Sequence, residues 1–307
     1  MSLIVTQMSP RRKLRIRKDC IRDIVPIVGY SNCYGLVRDN STNDKGDFEY
    51  EEPLTYRTGF SLKAIYKYID IEGFIKLLKT GILFKEPSLW NDPYEKLFYN
   101  AKYIDIDIDS TPHPIYACCF TAGEETEASW KQYIGNTGLS SRCVRIKIKY
   151  NSLLSQLEKY AEEQNCKVYV GAVTYRMTEQ DIESLLENGT KMNSFWMTKF
   201  SLKNYLSLLL LKRPAFYNEK EVRIMVVPER ETANCNNIFI ECCDIFSEIL
   251  LSPDSSDEEL TFIEYLCRHN GITCPICKSN LNYKHPDVEI KPIEKGNSFI
   301  ADIYDKL

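Results

Sequence analysis

The sequence predicts an α+β fold, with a mixed, mostly antiparallel sheet and flanking helices. Short segments such as RCVRIKIKY (142–150) and EVRIMVV (221–227) alternate with period two, as strands do. Others, such as NSLLSQLEKYAEEQN (151–165), place apolar residues at helical spacing. Strands and helices are mixed along the chain, and several of the strands show polar alternation typical of hairpins. Both features argue against a regular parallel α/β fold.

In chain order, AIYKYI (64–69) reads as a short strand and IEGFIKLLKTG (71–81) as a helix closed by Gly81. ILFKEPSLWNDPYE (82–95) reads as strand, turn and loop, and PIYACCFTA (114–122) as a strand. ETEASWKQYIG (125–135) is a helix, 142–150 a strand, 151–165 an amphipathic helix and KVYVGAVTY (167–175) a strand. Residues 178–211 read as largely helical, with a break at Gly189-Thr190. The end reads βαβ. DIFSEILLSP is a strand, and a helix follows whose start carries Ser255 or Ser256 with Glu258 or Glu259 three residues on, a capping box. That helix stops at Asn270-Gly271, and ITCPICKSNL returns as strand.

Composition narrows the class. A chain of 307 residues that is 44% hydrophobic and 27% charged, with 13 Gly and 13 Pro, can bury a core and is not of disordered type. A formal net charge of −4 gives no global pull towards nucleic acid. The mainly apolar run at 206–211 is far shorter than the roughly 20 residues of a membrane span. The basic cluster follows the short apolar stretch at the N-terminus, the reverse of a signal peptide, so a cytoplasmic protein is expected. The 12 cysteines lie mostly in apolar company and read as reduced core thiols.

Two domain segments are expected: an N-terminal extension over 1–58 and a single α+β domain over 59–307. The extension holds a dense basic run, Arg11 to Lys18, which is either a solvated arm or a contact for an acidic partner, nucleic acid included.

Four constellations could carry chemistry. In the first, Glu219, Glu221 and Arg223 share one face if that stretch is a strand, with Val222 and Ile224 behind them. Such a row is either an ion-pair ladder, fed by a basic neighbour such as Arg145, Lys147 or Lys149, or the floor of a polar site. In the second, Trp90-Asn91-Asp92-Pro93-Tyr94-Glu95 is turn chemistry. It either serves as a turn alone or holds Asp92 and Glu95 at a pocket rim with Trp90 as a wall. In the third, Thr121 ends a strand ahead of Trp130 and Tyr133, an i, i+3 pair that is either core or ligand platform. In the fourth, Cys267, His269, Cys274, Cys277 and His285 supply enough zinc ligands but fit no common finger spacing, and no metal is expected. No Walker A loop, GxGxxG, HExxH or G-x-S-x-G occurs.

Taken in order, these pieces resemble the DUF2971 family of bacterial proteins over residues 62–282. The matching segments are IYKYI, ILFKEPSLWNDPYE, ACCFTAGEETEASWKQYIG, KVYVGAVTY, LKRPAFYNEKEVRIMV and EILLSP with ICKSNL. By motif order alone the chain is also similar to the ADP-ribosyltransferase superfamily. That resemblance implies a split sheet with NAD as substrate. It assigns Tyr66, Lys67 and Tyr68 to the first motif and Thr121, Trp130 and Tyr133 to the second. Glu219 or Glu221 is then the catalytic carboxylate, with Arg223 keeping Glu221 ionised. Lys67 stands where that superfamily has His or Arg.

The expected function is therefore NAD cleavage or ADP-ribosyl transfer to a protein or nucleic-acid acceptor, by a bacterial toxin or defence effector such as one acting against phage. Two alternatives stay open. One is a non-catalytic binding or sensor module whose Glu/Arg row is structural. The other is a metal-dependent nuclease or hydrolase using Asp92, Glu95 and Glu219.

Overall fold

The structure is a computed structural model that describes residues 22–38, 62–97, 99–100, 114–133, 142–175, 201–229, 237–240 and 243–281. It is an α+β fold built on one 11-stranded sheet. The strands are β1 (Arg22–Pro26), β2 (Cys33–Arg38), β3 (Ala64–Asp70), β4 (Ile82–Lys85), β5 (Tyr116–Thr121), β6 (Cys143–Lys149), β7 (Cys166–Ala172), β8 (Glu221–Pro228), β9 (Asn237–Ile240), β10 (Phe246–Leu251) and β11 (Ile276–Lys278). Among the described residues five α-helices accompany them: α1 (Ile71–Thr80), α2 (Glu127–Gln132), α3 (Tyr150–Gln164), α4 (Leu202–Leu208) and α5 (Asp257–His269).

The main strand order is β1-β2-β7-β8-β5-β3-β6-β10-β11, with β4 joined to β5 and β9. Among these strands β2/β7 and β10/β11 pair in parallel and the other pairings are antiparallel. The sheet divides at β5. One edge of β5 runs alongside β8 from Tyr116 to Thr121. The other edge touches β3 at one position, Thr121 opposite Tyr66, and β4 at one position, Ala117 opposite Lys85.

Local signals account for the element ends. Asp70 caps α1 by accepting from the Gly73 N–H at 2.6 Å, and Gly81 closes it at φ 79°, a backbone region that costs glycine little. α5 opens with the capping box predicted for it, between Ser256 and Glu259. The β10–α5–β11 unit is the expected βαβ ending.

The two faces of the sheet differ. Val222, Ile224 and Val226 of β8 join Cys118 and Phe120 of β5 in the larger core, beneath Phe74 of α1, Leu153, Leu154 and Leu157 of α3, and Ile263 and Cys267 of α5. On the opposite face, Met225 and Val227 pack with Leu206 and Leu208 of α4, with Trp90, Tyr94 and Leu97 partly buried against them. That second face carries the polar residues considered below.

The boundary expected at residue 58/59 does not coincide with an edge of the sheet. β1 and β2 lie before it, yet β2 pairs with β7 and Cys33 is buried in the main core. The reason is tertiary: the free edge of β7 accepts a parallel strand whose apolar residues extend both cores. The basic run Arg11–Lys18, residues 178–200 of the predicted long helical stretch, and His285 fall outside the described residues.

Candidate functional site

β8 begins at Glu221, and alternation puts Glu221 and Arg223 on the face opposite the large core. Glu219 is not on the strand, a correction to the single row read from the sequence. It ends a 3₁₀ turn, Pro214–Glu219, and Lys220 then adopts a left-handed conformation at φ 42°. The kink still brings Glu219 and Glu221 onto one cation. Lys212 Nζ donates to Glu221 at 3.0 Å and to Glu219 at 2.5 Å, and lies 2.8 Å from Glu95. Arg223, fully buried, donates to both oxygens of Glu221 at 2.8 and 3.2 Å and to Glu95 at 2.6 Å. It also donates to the Leu209 carbonyl, and its guanidinium lies 4.4 Å from the centre of the Trp90 ring. The backbone N–H of Glu221 donates to the Tyr175 hydroxyl at 2.7 Å.

The cluster thus sets three carboxylates against two cations, drawn from two separate stretches of sequence, Glu95 and residues 212–223. Burial by itself would raise the pKa of Glu221, but Arg223 and Lys212 outweigh it and hold the carboxyl well below its usual range. Glu219 goes the other way: burial and the neighbouring Glu221 raise it despite Lys212. Lys212 is raised, because its three carboxylates exceed the opposing effect of burial. Glu219 also sits at the outer edge of the cluster, where exposed Gln132 of α2 donates to its second oxygen.

The counter-charges expected from β6 are not used here. β6 lies beyond β5 and β3, too far along the sheet, and Lys212 and Arg223 serve instead. The segment at 90–95 is both turn and brace. Asp92 accepts from the Tyr94 N–H at 2.9 Å, which is turn chemistry, and its other oxygen pairs with Arg213 at 3.0 Å. Glu95 bridges Lys212 and Arg223. Asn91 is exposed.

The aromatic residues divide. Tyr68 is buried and packs edge-on against Trp130 at 5.0 Å; Tyr133 stacks on Tyr68 at 5.6 Å. Trp130 is itself 2% exposed, with its indole N–H on Glu125 at 2.7 Å, so it backs Tyr68 and offers no open platform. Tyr133 is 40% exposed, and its hydroxyl is held far above its usual pKa by burial and by Glu221 and Glu219. Thr121 lies opposite both Tyr66 and Glu221, but its hydroxyl donates to the Glu219 carbonyl and accepts from Gly123, which closes the turn.

Lys67 is the residue that does not join this group. Between Tyr66 and Tyr68 it points to the other face, where Nζ meets the Cys118 sulfur at 3.4 Å and the Cys119 carbonyl at 3.1 Å. Strand alternation makes it impossible for all three residues of that motif to face one site.

Reading the sequence missed Lys212, Arg213, Gln132 and Tyr175 as site residues. One signal was available: Lys212 directly follows an apolar run, where a lysine is either solvent-facing or paired in the interior. Among the described residues no helix is long and apolar enough to cross a membrane. Nor do any three His, Cys, Asp or Glu residues among them stand ready to hold a metal ion. Asp92, Glu95 and Glu219, the set named for metal-dependent chemistry, are spent on Arg213, Arg223 and Lys212. Of the cysteines weighed as zinc ligands, Cys267 is buried in the core and Cys277 is exposed.

No family model matches the chain, so the resemblance to DUF2971 gains no support there. No curated protein matches it either. Among solved structures, DarT of Thermus sp. 2.9 in complex with NAD⁺ matches at 9% identity, over 74% of this chain and 99% of that one, with a TM-score of 0.31. A likeness at that score carries no argument about fold or function.

Proposed function

We propose that this chain cleaves the nicotinamide–ribose bond of NAD, or transfers the ADP-ribosyl group, at the Glu219–Glu221 cluster. One observation carries the reading: two adjacent carboxylates have proton affinities displaced in opposite directions, Glu221 down and Glu219 up. Carboxyl groups pushed apart in this way are how one site supplies both a fixed charge and a proton acceptor.

The chemistry divides accordingly. When the C1′–N bond breaks, nicotinamide leaves neutral with the bonding electrons and the ribose becomes oxocarbenium-like. Glu221, held ionised by Arg223 and Lys212, is a negative charge for that cation. An acceptor, water or a nucleophilic group, then bonds to C1′ and loses its proton to Glu219, whose raised pKa makes it the stronger base. Tyr133, the exposed ring of the aromatic group, offers a face to a planar base.

A second reading, a binding module with a structural ion cluster, is favoured by one specific fact. Both oxygens of Glu221 already bond to Arg223, and one also bonds to Lys212. Release of free nicotinamide from NAD, followed by chromatography, separates the two. The proposal expects turnover by the wild type and a loss of about 10²–10⁴-fold in Glu219→Gln, the usual worth of a general base. Glu219 is the better target because it sits at the edge of the cluster. Wild-type protein that leaves NAD intact, with and without candidate protein or nucleic-acid acceptors, defeats the proposal.

A further inference from the structure

We propose that Arg145 forms a second, anion-holding subsite on the same face of the sheet, which takes the phosphate groups of a nucleotide. This rests on the NAD reading for its place in catalysis, though not for the binding itself.

Arg145 lies at the centre of β6, opposite Tyr68 on one side and Leu250 on the other. It is 6% exposed, yet no hydrogen bond or ion pair is found for it among the described residues, and its Nε is sealed from solvent with no partner. A buried guanidinium is ordinarily matched by a carboxylate, because stripping a charge of water without replacement is costly. The other two buried arginines of this sheet follow that rule or find oxygen partners. Arg223 has Glu221 and Glu95, while Arg22 reaches Thr174 and the Ala172 carbonyl.

The acidic group beside its neighbour Tyr68 does not serve Arg145. Glu125, near the Tyr68 hydroxyl, spends its Oε1 on the Trp130 indole N–H and the Ser279 hydroxyl, and no ion pair joins it to Arg145. What Arg145 does have is aromatic: its guanidinium carbon lies 3.7 Å from the centre of the Tyr66 ring and 5.8 Å from that of Tyr68. Stacking occupies the flat face of a guanidinium and leaves its in-plane N–H groups aimed outward. Those N–H groups form the fork that matches two oxygens of a phosphate.

Position links this fork to the cluster. Glu221, Thr121 and Tyr66 form one continuous row across β8, β5 and β3; on β6 that row meets Lys147, and Arg145 lies two residues along the strand, opposite Tyr68. Three strand spacings and two residues along β6 put the ends about 16 Å apart. A ligand touching both ends is elongated, as a dinucleotide is and a free sugar is not. Tyr133, stacked on Tyr68 and sensing Glu221, lies between the two ends.

Thermal shift and calorimetry with inorganic pyrophosphate, ADP-ribose and nicotinamide riboside test this. The variants are Arg145→Met, Arg145→Lys and, as a charge control on the same face, Lys147→Met. Wild type should bind ADP-ribose and, more weakly, pyrophosphate. Arg145→Met should weaken both by about 10–100-fold, as losing a charge-assisted hydrogen bond does. Arg145→Lys should fall between, Lys147→Met should change little, and nicotinamide riboside binding should be the same in all. Without ligand, Arg145→Met should melt no lower than wild type, since the charge removed has no partner. The proposal is overturned if wild type binds no phosphate compound, if Arg145→Met binds as tightly as wild type, or if that variant melts lower with its affinity unchanged. Should Arg145→Met fail to fold, an Arg145→Lys variant with wild-type affinity for pyrophosphate and ADP-ribose likewise overturns it. Phosphate binding through Arg145 without NAD cleavage would uphold this subsite and remove the proposed reaction. NAD cleavage with an unchanged KM in Arg145→Met would do the reverse.

Discussion

Glu221 and Arg223, two residues apart on one strand, bond to each other through both carboxylate oxygens, at 2.8 and 3.2 Å, with Arg223 fully buried. Neighbours at this spacing share a face of the sheet, so the pair forms as soon as the strand does. Its energetic sign is set by the rest of the cluster. Lys212 and Glu95 complete the charge balance, and Leu209 supplies a carbonyl to a guanidinium that water cannot reach.

Removing both partners should therefore cost less than the two single removals added together. Arg223→Met leaves Glu221 and Glu95 short of a cation and should lower unfolding free energy by about 3–5 kcal/mol, the usual cost of breaking a buried pair. Glu221→Gln/Arg223→Met should cost less than the sum of the two single changes, with a coupling of about 0.5–3 kcal/mol. Urea denaturation of the four proteins checks this, and additive costs would mean the pair is not coupled.

The dependence on pH should differ in sign between the two carboxylates. Glu221 is lowered from 4.5, so the stability it contributes is full above about pH 4.5 and is lost as pH falls towards its folded value. Glu219 is raised from 4.5, so its contribution is present below that value and is lost as pH rises through its folded pKa. Melting temperatures followed from acid to neutral pH should show a flatter acid limb in Glu221→Gln. In Glu219→Gln, the gap to wild type should move in the variant's favour as pH rises. Parallel curves for all three proteins would contradict both assignments.

Gly171 is where the site's support is tightest. A Cβ there would meet Leu210 Cδ1 at 2.4 Å and Leu36 Cβ at 3.2 Å. Gly171→Ala should destabilise by about 1–3 kcal/mol, as overpacking does. It should also disturb Arg223, because Leu209, next to the displaced Leu210, holds that guanidinium. Chemical denaturation measures the first effect, and a further drop in NAD turnover at a temperature where the variant is folded measures the second.

Thiol reactivity should follow burial. Among the described cysteines, Cys277 is exposed, while Cys33, Cys118, Cys143, Cys166 and Cys267 are buried. Burial raises Cys143 and Cys267 to about 12, which leaves almost no thiolate to react at neutral pH. Titration with a disulfide reagent should lose one fast-reacting thiol in Cys277→Ser and none in Cys143→Ser until the protein unfolds. A fast thiol lost with Cys143 would contradict the burial shown.

The sequence by itself determined what depends on neighbours along the chain. The strand from Glu221, the capping of α5 by Ser256 and Glu259, the end of α1 at Gly81 and the turn at Asp92 were all legible, because periodicity, caps and turns are set within a few residues. Tertiary structure decided the rest. It placed β2 beside β7, which the sequence of an apparent extension does not announce. It turned Lys67 away from Tyr66 and Tyr68, and it buried Trp130 behind Tyr68. It gave Glu219 and Glu221 a shared Lys212, and it set Arg145 on Tyr66 with no carboxylate partner among the described residues. A charged side chain has the same identity whether it is paired, solvated or bare. Its partner and its desolvation are fixed by which distant segments meet, and the Coulomb energy that sorts these cases depends on separation in space, not along the chain.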